Sequence, residues 1–227
     1  MKMMIVQSPR LGFLGVVMAV GLTFFPGAPA KALDFDFSGT FTHDNDVQQI
    51  NFGVGSPSTI TIFSSSWLYG DPPTGAGPGG FDPMLGIWDS TGALIQFQDD
   101  GSNVGSTLSN SVLYDHGTWD SYFTQLLTPG NYIATVSQYD NFNAGSNLTN
   151  GFTHDGQPNF TFVNNFGGAT QPLFNGVWDA NDPRTPNWAF HILNVDQASV
   201  SVPEPASWLL LGAGLAGIAA WRRKQRA

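Results

Sequence analysis

Carboxylates dominate the titratable chemistry of this sequence, and they gather in turns. HDND at residues 43–46, FDP at 81–83 and QDDG at 98–101 each set Asp beside Asn, Pro or Gly. A short carboxylate in a turn can bind backbone amides. It can also join a compact site for a hard cation such as calcium, which takes roughly six to eight oxygen ligands. Asp44 and Asp46 could coordinate from one tight loop, and the same loop reads equally as a plain hairpin turn. Adjacent Asp99 and Asp100 repel each other unless they are hydrated or bound to a cation. Asp82 stands at the entry to a strand, where a carboxylate can also simply cap a turn. Asp44, Asp46, Asp82, Asp99 and Asp100 are therefore the candidate calcium ligands. The regular acidic spacing of an EF-hand is missing.

Other chemistries are poorly supplied. His43, His116, His154 and His191 are dispersed, with no HExxH, so a zinc site has little support. There is no G-x-S-x-G, P-loop or dinucleotide fingerprint. No nucleophile–base constellation is recognisable, and the expectation is a protein that is not an enzyme. The catalytic alternative is a secreted glycan hydrolase using paired Asp carboxylates, one of them with a raised pKa. Trp67, Tyr69, Trp119 and Trp178 lie near Asn and Asp and could form a carbohydrate platform, or could serve as core and loop anchors.

The charge distribution narrows the partners. The chain has 227 residues and a formal net charge of -9. Lys2, Arg10 and Lys31 lie at one end, and Arg222, Arg223, Lys224 and Arg226 at the other. Between them Arg184 is the only Lys or Arg, while every Asp of the chain lies there. Nucleic acid is excluded as a partner of that body, because phosphate binding needs Lys and Arg. The chain has no Cys. Stability outside the cytoplasm must then come from the core, from a bound ion, or from both.

The elements that carry these turns read as strands. FDFSGTF (35–41), VQQINFGV (47–54), STITIF (58–63), NYIATVS (131–137) and NWAFHILNV (187–195) alternate apolar and polar residues. Period-two alternation with aromatic and β-branched residues, punctuated by Gly, Asn, Asp and Pro, predicts antiparallel sheet with one buried face. The expected fold class is all-β, an antiparallel β-sandwich or jelly roll. Residues 141–184 read as long loops with one hairpin.

Both ends stand apart from this body. Residues 1–32 have the plan of a secretory signal peptide: a basic start, the apolar run LGFLGVVMAVGLTFF, then small residues at Ala28, Ala30 and Ala32. Cleavage is expected after Ala32 or Ala30. Residues 33–201 form the expected ectodomain. Residues 202–227 hold a Pro-Glu-Pro triplet, an apolar segment shorter than the ~20 residues of a comfortable membrane span, and a basic end. A signal helix and a short transmembrane helix are thus expected to flank the sandwich, with the basic end held in the cytoplasm.

Pro203, Glu204 and Pro205, the apolar segment, and Arg222, Arg223, Lys224 and Arg226 occur in the order of a PEP-CTERM sorting signal of Gram-negative bacteria, which this tail resembles. The resemblance implies export through the Sec translocon, transient residence in the inner membrane and processing by an exosortase near the triplet. It also implies delivery to the cell envelope or extracellular polysaccharide matrix, with exopolysaccharide as a potential partner. The body has its own resemblance. FTHDNDVQQINF, GGFDPMLGIWDSTGALIQFQDDG and WDSYFTQLLTPGNYIATVSQYDNF are similar to the bacterial pre-peptidase C-terminal type of β-sandwich, in a subgroup without assigned activity. Such domains are accessory modules for secretion, adhesion or binding, and some bind calcium.

Overall fold

The structure, a computed structural model, describes residues 32–69, 79–163 and 184–201. The strands run in the order β1 (Leu33–Thr40), β2 (Val47–Val54), β3 (Ser58–Ser64), β4 (Pro83–Asp89), β5 (Leu94–Gln98) and β6 (Gly105–Ser109). They continue with β7 (Val112–His116), β8 (Tyr122–Leu127), β9 (Gly130–Gln138), β10 (Asn187–Val195) and β11 (Gln197–Val200). Among the described residues helix is confined to single turns: α1 (Ser66–Tyr69), α2 (Phe160–Val163) and a 3-10 turn at Leu148–Asn150. The expected signal helix and transmembrane helix both fall outside the described residues.

One sheet has the order β1-β10-β3-β8 and the other β11-β2-β9-β4-β5. Their strand pairs are antiparallel throughout. The chain alternates between the sheets, with β1, β3, β8 and β10 in one and β2, β4, β9 and β11 in the other. Side chains from both sheets meet in one core: Ile60, Ile62, Phe190 and Ile192 from the first, and Ile50, Phe52, Leu85, Ile87 and Val136 from the second. Two antiparallel sheets over a shared core are consistent with a β-sandwich. The residues expected to face inward on β1 and β10 do so. Phe35 and Phe37 pack on the core, and Trp188, Phe190 and Ile192 are buried in it.

The outer face of the first sheet departs from simple alternation. Phe63 and His191 lie on the face opposite Ile62 and Ile192, which alternation alone would leave in water. Both are 0% exposed. The reason is a third layer. The β6–β7 hairpin pairs only with itself and lays Tyr114 and His116 over this face. Tyr114 stands 4.1 Å from the His191 ring and His116 5.4 Å from the Phe63 ring.

Residues 141–163 are mostly irregular, as expected. The 3-10 turn is capped by Asn147, whose side chain accepts from Thr149 N–H at 3.0 Å. An antiparallel bridge joins Asn143 to Phe152.

Candidate metal centre

Asp82 is placed by its neighbours. Phe81 is fully buried in the core and stacks on Phe41 with ring centroids 5.1 Å apart. Pro83 opens β4, where a missing N–H costs least. The carbonyl of Asp82 accepts Tyr139 N–H at 2.9 Å. Asp82 is thereby carried into the interior at the entry to β4, 1% exposed.

Asp99 and Asp100 reach the same end by the β4–β5 hairpin. Leu85 pairs with Gln98, so the turn after β5 returns beside the entry to β4. Ser121 ties this corner together. Its hydroxyl lies 2.7 Å from Pro83 O and 3.1 Å from Gln98 O, and it also contacts Asp99 O. The turn presses so closely on the start of β8 that a Cβ at Gly101 would meet Asp120 O at 2.4 Å. Glycine is required there by close approach.

One carboxylate oxygen from each of Asp82, Asp99 and Asp100 lies within 4.8 Å of the others. Two ligands each roughly 2.4 Å from one calcium ion cannot be more than about 4.8 Å apart, so this spacing admits a shared ion. Among the described residues neither oxygen of Asp82 has a hydrogen-bond partner, and nor does Oδ1 of Asp99. Buried carboxylates are normally hydrogen-bonded or paired, because leaving them bare costs free energy. Burial, then Asp99, Asp100 and Asp120, push the Asp82 carboxyl up to about 9, with Arg184 only partly offsetting them. Burial, then Asp100 and Asp140, push Asp99 up to about 6. Burial raises Asp100 as well. A divalent cation would add what Arg184 supplies only in part, positive charge, and would accept the orphaned lone pairs. The donor set therefore fits calcium.

Asp44 and Asp46 lie outside this group. Their carboxylates bind other groups, so of the five expected ligands only Asp82, Asp99 and Asp100 come together. Asp44 is buried, and its Oδ2 accepts from Thr161 N–H at 3.0 Å and from the Thr161 hydroxyl. It tethers α2 to the β1–β2 turn. Asp46 Oδ2 accepts from Thr42 N–H at 2.7 Å and His43 N–H at 2.9 Å, an Asp-stabilised turn.

The aromatic platform also changes character. Trp67 and Trp119 pack against each other, with ring centroids 6.0 Å apart. The Arg184 guanidinium covers the Trp67 ring at 3.7 Å, so that face is closed to a sugar. The Tyr69 side chain and Trp178 lie outside the described residues. A groove of about 540 Å³ is found on another part of the second sheet, lined by Asn51, Asn131, Gln197 and Ser199 among others. It contains none of the candidate ligands. Ser121 was not anticipated from sequence: it stands just before β8, and only the packing of that strand's start against the start of β4 and the end of β5 reveals its role.

No curated protein matches the chain. A solved structure similar to it is the pre-peptidase C-terminal domain of a collagenase from Bacillus anthracis. The two share 11% identity at a TM-score of 0.33, over 74% of this chain and 90% of that one. The C-terminal end is more specific: residues 201–224 match the PEP-CTERM protein-sorting motif, including Pro203, Glu204, Pro205, Arg222, Arg223 and Lys224, so this chain carries a signal that implies export and exosortase-mediated sorting.

Proposed function

We propose that the protein is an exported cell-surface or matrix component whose jelly-roll-type sandwich binds calcium through Asp82, Asp99 and Asp100. The observation that carries this reading is the buried Asp82 carboxylate, with both oxygens unpartnered among the described residues and two further carboxylates beside it. Calcium at this corner closes the turn after β5 onto the starts of β4 and β8 and strengthens a fold that has no disulfide. The acidic centre is a structural and binding element and not the active site of a glycan hydrolase. Its burial supports that choice: Asp82 is 1% exposed, and a glycosidic bond must reach both carboxylates. The setting we propose is the extracellular polysaccharide matrix.

Thermal melts of the full chain in EDTA and in millimolar calcium test this reading. At a ten- to hundredfold excess over the dissociation constant, mass action adds roughly 1.4–2.7 kcal/mol. For a body of this size that is a rise of roughly 3–10 °C. Asp99→Asn or Asp100→Asn should shrink the rise, whereas Asp155→Asn should leave it intact. An equal melting temperature in both buffers would remove calcium from the reading.

Delivery gives a separate expectation. The mature protein should lack both ends, and Glu204→Ala should leave precursor in the inner membrane. Intact mass of the envelope-associated protein is the check. A dominant species that retains residues 222–227 would mean that the tail is a permanent anchor.

A further inference from the structure

Ser65, His191 and Asp36 are hydrogen-bonded in series, although 126 and 155 positions separate His191 from the other two. Ser65 Oγ lies 3.0 Å from His191 Nε2, and His191 Nδ1 lies 2.7 Å from Asp36 Oδ1. An ionised Asp36 can only accept, so the ring proton sits on Nδ1. Nε2 then carries the lone pair and accepts the Ser65 hydroxyl. That is the ground-state arrangement of an activated serine: nucleophile, general base and orienting carboxylate.

We propose that Ser65 is the nucleophile of an acyl-transfer site that hydrolyses neutral carboxylic esters, with His191 as base and Asp36 orienting it. This goes beyond the calcium reading and uses none of its residues. Ser65 sits between the end of β3 and the start of α1, a strand–serine–helix position. Its two serine neighbours are committed elsewhere. Ser64 Oγ donates to Asp120 at 2.9 Å, and Ser66 Oγ donates to Ala189 O at 3.2 Å while accepting Ala189 N–H at 2.9 Å. Of the three hydroxyls, only that of Ser65 is aimed at a base.

The site is closed in this structure: Ser65 is 1% exposed and His191 0%. The cover is the β6–β7 hairpin. Tyr114 lies over the imidazole, and Asn110 Nδ2 donates to Asp36 Oδ2 at 2.8 Å. No strand of the main sheets pairs with this hairpin, so it can swing out without breaking a sheet. Its outer surface carries an apolar patch beside the Ser106–Asp115 pair. Leu108 and Leu113 face each other across the two strands and are 61% and 62% exposed, with Val104 nearby at 59%. Beneath it Phe63 and Tyr122 join Tyr114 and His191 in an aromatic wall. Apolar walls in a strongly acidic body fit an uncharged ester with an apolar acyl group, not an anionic substrate.

The chemistry balances within the site. Ser65 Oγ forms a bond to the ester carbonyl carbon while His191 Nε2 takes the hydroxyl proton. Collapse of the tetrahedral intermediate breaks the bond to the alkoxide, which receives that proton and leaves as alcohol. Water, deprotonated by His191 Nε2, then attacks the acyl carbon; the bond from that carbon to Ser65 Oγ breaks, and Oγ takes the proton back from His191. The products are a carboxylic acid and the free hydroxyl.

The test is covalent labelling of the full chain, purified in mild detergent, with a fluorophosphonate. Ser65 displaces fluoride and leaves a stable phosphonyl adduct. We expect one adduct, mapped to Ser65 by peptide mass spectrometry, in EDTA and in calcium alike. Tyr114→Ala, which removes part of the cover, should label faster. Asp36→Asn should label about 10²-fold more slowly or worse, with the fold checked by thermal melting. Hydrolysis of p-nitrophenyl esters should follow the same order. Absence of a Ser65 adduct in both folded wild type and folded Tyr114→Ala would overturn the proposal. A Ser65 adduct that Asp36→Asn does not slow would overturn the role of the His191–Asp36 pair.

Discussion

In EDTA, the melting temperature of the full chain should fall as pH rises from about 7 to about 9, and Asp82→Asn should remove most of that fall. The folded Asp82 carboxyl is pushed from 3.8 up to about 9, chiefly by burial and then by its acidic neighbours. Unfolding releases it to water, where it ionises at its ordinary value. Over this window the folded chain holds a proton that the unfolded chain has lost, so stability drops with rising pH. Its contribution is complete below 3.8 and is lost on approaching about 9. Asp99 acts in the same direction, but only up to about 6. His116 and His191 act the other way. Burial lowers both below 6.5, so their contribution is present above that value and is lost in acid. From neutral pH upward Asp82 is thus the chief cause, with Asp100, which burial also raises, acting in the same direction. Calcium should reverse the effect, because it binds the ionised carboxylates and gains affinity as they deprotonate. Asp82→Asn should therefore melt no lower than wild type in EDTA at high pH, and should lose the calcium response altogether. An unchanged pH slope in the variant would mean that the buried acid lies elsewhere.

Truncation of the core should have the other large effect. Phe190→Ala should lower the unfolding free energy by about 3–5 kcal/mol. The side chain is 0% exposed, and β10 lies inside its sheet, bonded to β1 on one side and β3 on the other. Nothing can collapse into the space without shifting a paired strand. The loss is a large share of the roughly 5–15 kcal/mol that holds an ordinary domain together. Leu126→Ala is the control. Leu126 is 66% exposed on the edge strand β8, and its loss should stay within about 0.5 kcal/mol. Urea denaturation of the pair measures both. Equal midpoints would contradict the assignment of Phe190 to the shared core.

The strands were legible where two conditions coincided: alternation, and a face that water reaches. β2, β3, β9 and β10 satisfy the first over part of their length, and Ile60–Ile62 and Trp188–Phe190–Ile192 point inward as their spacing implies. The β6–β7 hairpin hides for a physical reason. It packs polar and aromatic groups, Tyr114 and His116, onto the first sheet and turns Leu108 and Leu113 to solvent. That inverts the usual code. The acidic centre was half legible. Asp82 and the Asp99–Asp100 pair are joined by a hairpin between adjacent strands, so local sequence brings them together. Asp44 looks the same in sequence, yet its partner Thr161 lies 117 positions away, and no local pattern announces that tether. The Ser65–His191–Asp36 series was illegible for the same reason. It exists only because β10 inserts between β1 and β3.

Calorimetric titration of the calcium-free full chain with calcium, beside the same titration of Asp82→Asn, addresses the acidic centre most directly. Wild type should give saturable binding in the range of extracellular sites, with a dissociation constant of roughly 10⁻⁴–10⁻³ M, and Asp82→Asn should give none. A wild-type chain that binds no calcium, or a variant that titrates identically to it, would contradict a metal centre at Asp82, Asp99 and Asp100.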